Sequence, residues 1–324
     1  MNELEYTFAV ARIRALEASL LTDQVIDQLV NSPGEKQCLE LLGERGWGDG
    51  GNDLDAEEML KTEEKKTWEV IREAAPDLNI FDVFSYTKLY HNLKAAIKEV
   101  CTEVRNENIF YDDCEISGEE MLRIVENKEF SRLPGKMPEA AQDAYDTLLH
   151  TRDGQLCDVI IDKAALEAIY AVGQDSEDEI IRNYAESTVA IADIKIAVRS
   201  QKTGKSMEFM RRAMAGNAKS ISIEQLMKAA LSGMDAIGEY LSGTSYSEGA
   251  QALSDSPSAF ERWCDNRMIQ TIRPQKYNSF SVGPLVAYLI ARENEIKTVR
   301  IILTGKQNGF SDEAIRERVR EMYV

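Results

Sequence analysis

The sequence predicts an all-α fold built from three similar helical bundles, and three observations predict it. Leu, Ala, Glu, Lys, Arg and Met dominate long stretches, and these side chains lose least on entering a helix. Only seven prolines and 19 glycines punctuate 324 residues, too few for a chain of many short strands and turns. Apolar residues also recur three and four apart, the period of a helix with one buried face.

The elements follow in order. Tyr6, Val10, Ile13, Leu16 or Glu17, and Leu20 form one stripe, and Asn31-Ser32-Pro33-Gly34 stops that helix. The glycine-rich stretch 43–52, from Gly43 through Trp47 to Asn52, must be a loop and reads as a flexible one. Asp53 or Asp55 caps a charged helix over Ala56–Ala75, which Pro76 ends. Asn79–Val104 reads as a helix with Phe81, Phe84, Leu89, Leu93, Ile97 and Val100 or Cys101 inward. Ser117-Gly118-Glu119-Glu120 is a capping box ahead of Met121–Glu129, and Pro134-Gly135 with Pro138 marks a boundary.

Long helical stretches are expected around Ala140–Val172 and Glu177–Ser200. Within the second, Thr188–Ile194 alternates enough to pass for a strand, but its alanine-rich flanks continue the helix. Lys202-Thr203-Gly204-Lys205 is a turn, and Ser222 starts a helix at Ile223. Breaks fall at Ser242–Ser245 and Ser254–Ser258. Gly283-Pro284 opens a helix through Leu303 that Gly305–Gly309 closes, and a last helix runs from Ser311 to the end.

An internal repeat organises these elements. Asn92-Leu93-Lys94, Asp193-Ile194-Lys195 and Glu295-Ile296-Lys297 share the order polar, aliphatic, lysine, at intervals of about a hundred residues. Each is followed by a helix-starting serine with glutamate two positions on: Ser117, Ser222 and Ser311. The expected division is 1–135, carrying the glycine-rich insertion, then 136–245, then 246–324. Three such units suit a quasi-threefold body more than an extended array.

Composition narrows the function. Net charge is -18, with 56 acidic residues against 38 basic. Nucleic acid and anionic lipid surfaces both select clustered Lys and Arg. The balance favours a basic protein partner, or serves solubility alone. The first six residues lack a basic secretory region, and the longest apolar run, Leu285–Ala291, is far short of a membrane span. Five scattered cysteines without a C-x-x-C suit a reducing compartment, the cytoplasm.

Candidate chemistry dissolves on inspection. Gly46–Gly51 satisfies G-x-G-x-x-G, but a helix precedes it and acidic residues follow, the reverse of a dinucleotide site. Thr203-Gly204-Lys205-Ser206 resembles the end of a P-loop, yet Arg199 stands where its first glycine belongs. His91 and His150 have no i, i+4 partner. Asp158 with Asp162, and the cluster Asp175, Glu177, Asp178 and Glu179, read as solvated faces or helix N-terminal charge before they read as metal or acid–base sites. Arg211-Arg212, and Arg316, Arg318 and Arg320, are the basic groupings. They read as surface charge near helix ends or, more sharply, as partner contacts at Arg211, Arg212, Arg316 and Arg320. No catalytic residue, cofactor or metal is expected.

Two stretches carry a family resemblance: Glu293–Ile302 with Gly305-Lys306 and Ser311, and Tyr6–Glu17 near the start. They resemble the C subunit of the bacterial and archaeal V/A-type rotary ATPases, equivalent to the d subunit of the eukaryotic vacuolar ATPase. The resemblance implies three helical bundles in a quasi-threefold funnel and a non-catalytic rotor part, one copy per complex and not a homo-oligomer. Its partners would be the proteolipid subunits of the membrane rotor ring and the central-shaft subunits of D and F type. The protein would be peripheral on the cytoplasmic face and would serve proton or sodium transport. An unrelated helical scaffold or regulator binding a basic partner is the alternative, and an all-helical enzyme with an acidic metal site the third reading.

Overall fold

The computed structural model describes residues 6–50, 55–106 and 109–324. Among them there is no strand, and the fold is all-α. The chain divides into two compact units: unit 1 joins Met1–Leu78 to Gln251–Val324, and unit 2 is Asn79–Ala250.

Unit 1 opens with α1 (Thr7–Glu17), α2 (Asp23–Asn31), α3 (Glu35–Glu44) and α4 (Ala56–Ala74). Unit 2 follows with α5 (Asp82–Thr102), α6 (Gly118–Glu126), α7 (Met137–Thr151), α8 (Gly154–Asp175) and α9 (Glu179–Lys202). It continues through α10 (Met207–Ala213), α11 (Ile223–Ser232) and α12 (Met234–Ser242). In sequence, α13 (Ser247–Asp255) spans the boundary. Then α14 (Pro257–Ile272), α15 (Gly283–Gln307) and α16 (Asp312–Arg316) complete unit 1.

The anticipated caps are in place. The Asp55 carboxylate accepts the Glu58 N–H at 2.8 Å, and Ser117, Ser222 and Ser311 accept from the third residue beyond each. Thr188–Ile194 lies inside α9, a helix as expected. Three expectations need correction. The first helix breaks after Glu17: Leu20 and Leu21 turn inward, and Thr22 caps α2 instead. The stretch 140–172 is two helices: Arg152 takes a left-handed conformation (φ 58°), and Asp153 accepts the Gln155 and Leu156 N–H groups. The last helix stops at Arg316, because side chains far away in sequence take over the tail's backbone groups. Asn266 accepts the Glu321 N–H, Asn294 donates to the Glu321 carbonyl, and Asp23 accepts the Met322 N–H.

Each unit has its own core. In unit 2, Leu93 and Ile97 of α5, Met121 of α6, Ala144 of α7 and Ile161 of α8 are fully buried together. α9 packs on α8, where Gly173 admits it: a Cβ there would stand 2.2 Å from the Ala185 methyl. In unit 1, Leu29, Leu42, Leu60, Val299, Ile302 and Ile315 meet. Every residue of Leu285–Ala291 is buried, so the first half of α15 is apolar all round because it is enclosed all round.

Candidate functional sites: three buried clamps and an exposed arginine pair

The polar residue of each repeat signature is buried within a long helix and clamps a loop. On α5, the Asn92 amide sits at 0% exposure; its Oδ1 accepts the Tyr111 N–H and its Nδ2 donates to the Tyr111 carbonyl, both at 2.9 Å. On α9, Asp193 is equally buried and accepts two successive N–H groups, Ala215 and Gly216, both at 2.9 Å. On α15, Glu295 accepts the Leu21 N–H of the α1–α2 connection. A long helix turns an interior polar side chain toward loop backbone that has no ladder of its own, and burial makes that pairing obligatory. Two of the signature lysines form ion pairs: Lys94 with Asp162 and Lys297 with Asp265, each at 2.6 Å.

The buried acids are electrostatically loaded. Burial pushes Asp193 up to about 6, against the pull of its two backbone donors and of Lys163. Burial likewise pushes Glu295 up to about 7, opposed by Arg292 and the Leu21 N–H. Arg292, 6% exposed, bridges Glu295 at 2.6 Å and Glu63 of α4, and its Nε donates to Thr67. Its guanidinium also lies 5.1 Å from the centroid of the Trp47 ring.

That network explains the glycine-rich stretch. Trp47 is buried, and the Glu63 carboxylate accepts the Gly48 N–H at 2.9 Å. Lys66 donates to the carbonyls of Gly46 and Gly48. Gly46 and Gly48 have φ of 85° and 79°, which only glycine adopts without strain, and that path carries Trp47 inward. Residues 46–50 are thus an anchored turn on α4; Gly51, Asn52 and Asp53 lie outside the described residues. The P-loop look-alike is a cap: Gly204 turns the chain, Ser206 accepts the Phe209 N–H, and Lys205 donates to Gln155.

The four arginines singled out from sequence part company. Arg320 is 7% exposed and holds Asp265 at 2.8 Å, inside unit 1. Arg316 binds Asp27 and, at 2.7 Å, Asn31, fastening α16 to α2. Arg211 and Arg212, on the last turn of α10, are exposed, and neither guanidinium has a carboxylate partner among the described residues. The acids at 158 and 162 are held by Lys98 and Lys94, and His91 meets the Ile109 carbonyl at 3.0 Å. Among the described residues no three His, Cys, Asp or Glu side chains are grouped to hold a metal, and no helix is long and apolar enough to cross a membrane. The buried polar groups bind loops to helices and so serve the architecture of the chain.

The comparisons with known proteins place it more narrowly. The chain belongs to the ATP synthase (C/AC39) subunit family, whose model matches residues 9–318. It is 23% identical over 327 residues to the V-type sodium ATPase C subunit of Enterococcus hirae, covering 99% of both chains. The A-type ATP synthase C subunit of Methanocaldococcus jannaschii is 22% identical over 348 residues, covering 96% of this chain and 85% of its own. That of Methanothermobacter thermautotrophicus is 24% identical over 346 residues, covering 96% and 87%.

Proposed function

We propose that this chain is a non-catalytic central-rotor subunit of a V/A-type rotary ATPase or ATP synthase. It couples the D- and F-type shaft subunits to the proteolipid ring, as one copy on the cytoplasmic face, for proton or sodium transport. The observation that carries this is the family match across 9–318. Physical support comes from stiffness. A part that transmits torque must not yield, and densely packed helices deform little. Here α15, 25 residues long, is a rod of about 38 Å. The clamps add loops that cannot swing free. The three repeats at 1–135, 136–245 and 246–324 are proposed as units of descent, with equivalent long helices α5, α9 and α15.

Arg211 and Arg212 are proposed as partner contacts, while the acidic excess of the remaining surface favours docking of a basic shaft end. Affinity capture of the tagged chain from detergent-solubilised membranes tests the reading. Ring and shaft subunits are expected with it, and recovery of the chain with neither overturns it. Raising the salt concentration is expected to weaken shaft association; salt-independent association overturns the electrostatic docking.

A further inference from the structure

Unit 2 holds a groove of about 920 Å³ bordered by α5, α7, α8 and α10. Its floor is apolar: Leu89 of α5, and Ile160, Ala164, Ala168 and Ala171 of α8. Those four α8 positions are spaced four, four and three apart, one face of a helix over roughly 16 Å. α7 and α10 both pack on α8 and supply polar edges. The α10 edge presents Arg211 and Arg212; the α7 edge presents Glu139 and Asp143. Lys163 caps α10 by donating to the Arg211 carbonyl at 3.1 Å, and Arg211 and Arg212 are both exposed, with no carboxylate partner among the described residues.

The charges of this lining balance. Lys136, Lys163, Arg211 and Arg212 stand against Glu139, Asp143, Glu167 and Glu208. In a chain of net charge -18, this is a surface where an acidic group approaching the arginines meets no surplus of like charge. An acyl chain fits poorly, since it would strip water from Glu139 and Asp143 without replacing it. A peptide helix about three turns long matches the furrow and can answer both edges.

We propose that this groove receives an amphipathic helix of another protein subunit, acidic along the edge that meets Arg211 and Arg212 and basic along the edge that meets Glu139 and Asp143. The proposal rests on the reading of the chain as part of a multisubunit complex. The test replaces Ala171 in the full chain with the photo-crosslinking residue p-benzoylphenylalanine, purifies the assembled complex, irradiates it and maps the adducts by mass spectrometry. An adduct on one protein subunit is expected, within a segment of helical periodicity bearing acidic residues on one edge. Adding Arg211→Glu and Arg212→Glu, both exposed and tolerable to the fold, is expected to cut the adduct yield about tenfold. A lipid adduct, no adduct from a complex that still co-purifies, or a yield indifferent to the charge reversals overturns the groove proposal alone. A chain that co-purifies with no subunit overturns the proposed function as well.

Discussion

The buried clamps of the two units differ in reach. In unit 2, Asn92 holds a residue 19 positions onward, and Asp193 holds residues 22 and 23 onward. In unit 1, Glu295 holds Leu21, 274 positions away. For a disordered intervening chain, closing the longer loop costs about 2 kcal/mol more in entropy. The longer clamp is also the one with reinforcement: Arg292, Glu63, Thr67 and Lys66 surround it, whereas Asp193 is satisfied by two backbone N–H groups. Local clamps secure a loop to its own helix; the distant one sews the two ends of the chain into a single core.

The largest test of that contrast is Arg292→Met. It removes the guanidinium that Glu63 and Glu295 share, leaving Glu63 to Lys66 and the Gly48 N–H and Glu295 to the Leu21 N–H, and should cost unit 1 about 3–5 kcal/mol. Combining it with Glu63→Gln and Glu295→Gln should recover much of the loss. Hydrogen exchange resolved by segment reads both, and a loss spread evenly over units 1 and 2 would contradict the division. Next comes Asp193→Ala, which leaves two N–H groups without their acceptor and should cost unit 2 about 2–4 kcal/mol. Asn92→Ala should cost less, about 1–2 kcal/mol, since Tyr111 is exposed enough for water to replace the amide. Urea unfolding orders the two.

Acidity sharpens the comparison further. Asp193 rises from 3.8 to about 6 on folding. The folded protein therefore keeps a proton that the unfolded chain has lost, and stability falls as pH climbs across that interval, then levels. Glu295, raised from 4.5 to about 7, acts the same way over a higher interval in unit 1. Thermal unfolding from pH 4 to pH 8 should show Asp193→Asn flattening the lower part of the slope and Glu295→Gln the upper. The smallest effects belong to the signature lysines. Lys94→Ala and Lys297→Ala break part-exposed ion pairs and should each cost about 0–1 kcal/mol.

Much of the fold was legible because it rests on local signals. Ser117, Ser222 and Ser311 announced helix starts through side chains that reach only three residues. The break at Thr151–Gly154 was written in the same code, an Asp cap before Gly, but the apolar period on both sides concealed it. The end of α16 was not local: Asp23, Asn266 and Asn294 divert the tail from helix, and no window on residues 317–324 contains them. The candidate site was half legible. The signature located Asn92, Asp193 and Glu295, but polarity concealed their burial. The apolar run Leu285–Ala291 hid its continuation, since the next residue, Arg292, extends the interior with a paired charge. Arg320 looked like a surface cation because its partner, Asp265, is 55 positions away.

The split composition of unit 1 has a consequence for biosynthesis. A ribosome emits residues 79–250 as one uninterrupted piece, so unit 2 can complete its core while still tethered. Leu29, Leu42 and Leu60 emerge far earlier, yet their partners Val299 and Ile302 come last. At ordinary elongation rates, about 5–20 residues per second, the gap lasts on the order of tens of seconds. During that interval the nascent N-terminal helices display an unsheltered apolar face, so chaperone occupancy of the nascent chain should persist until α15 leaves the exit tunnel and Val299 and Ile302 can cover it.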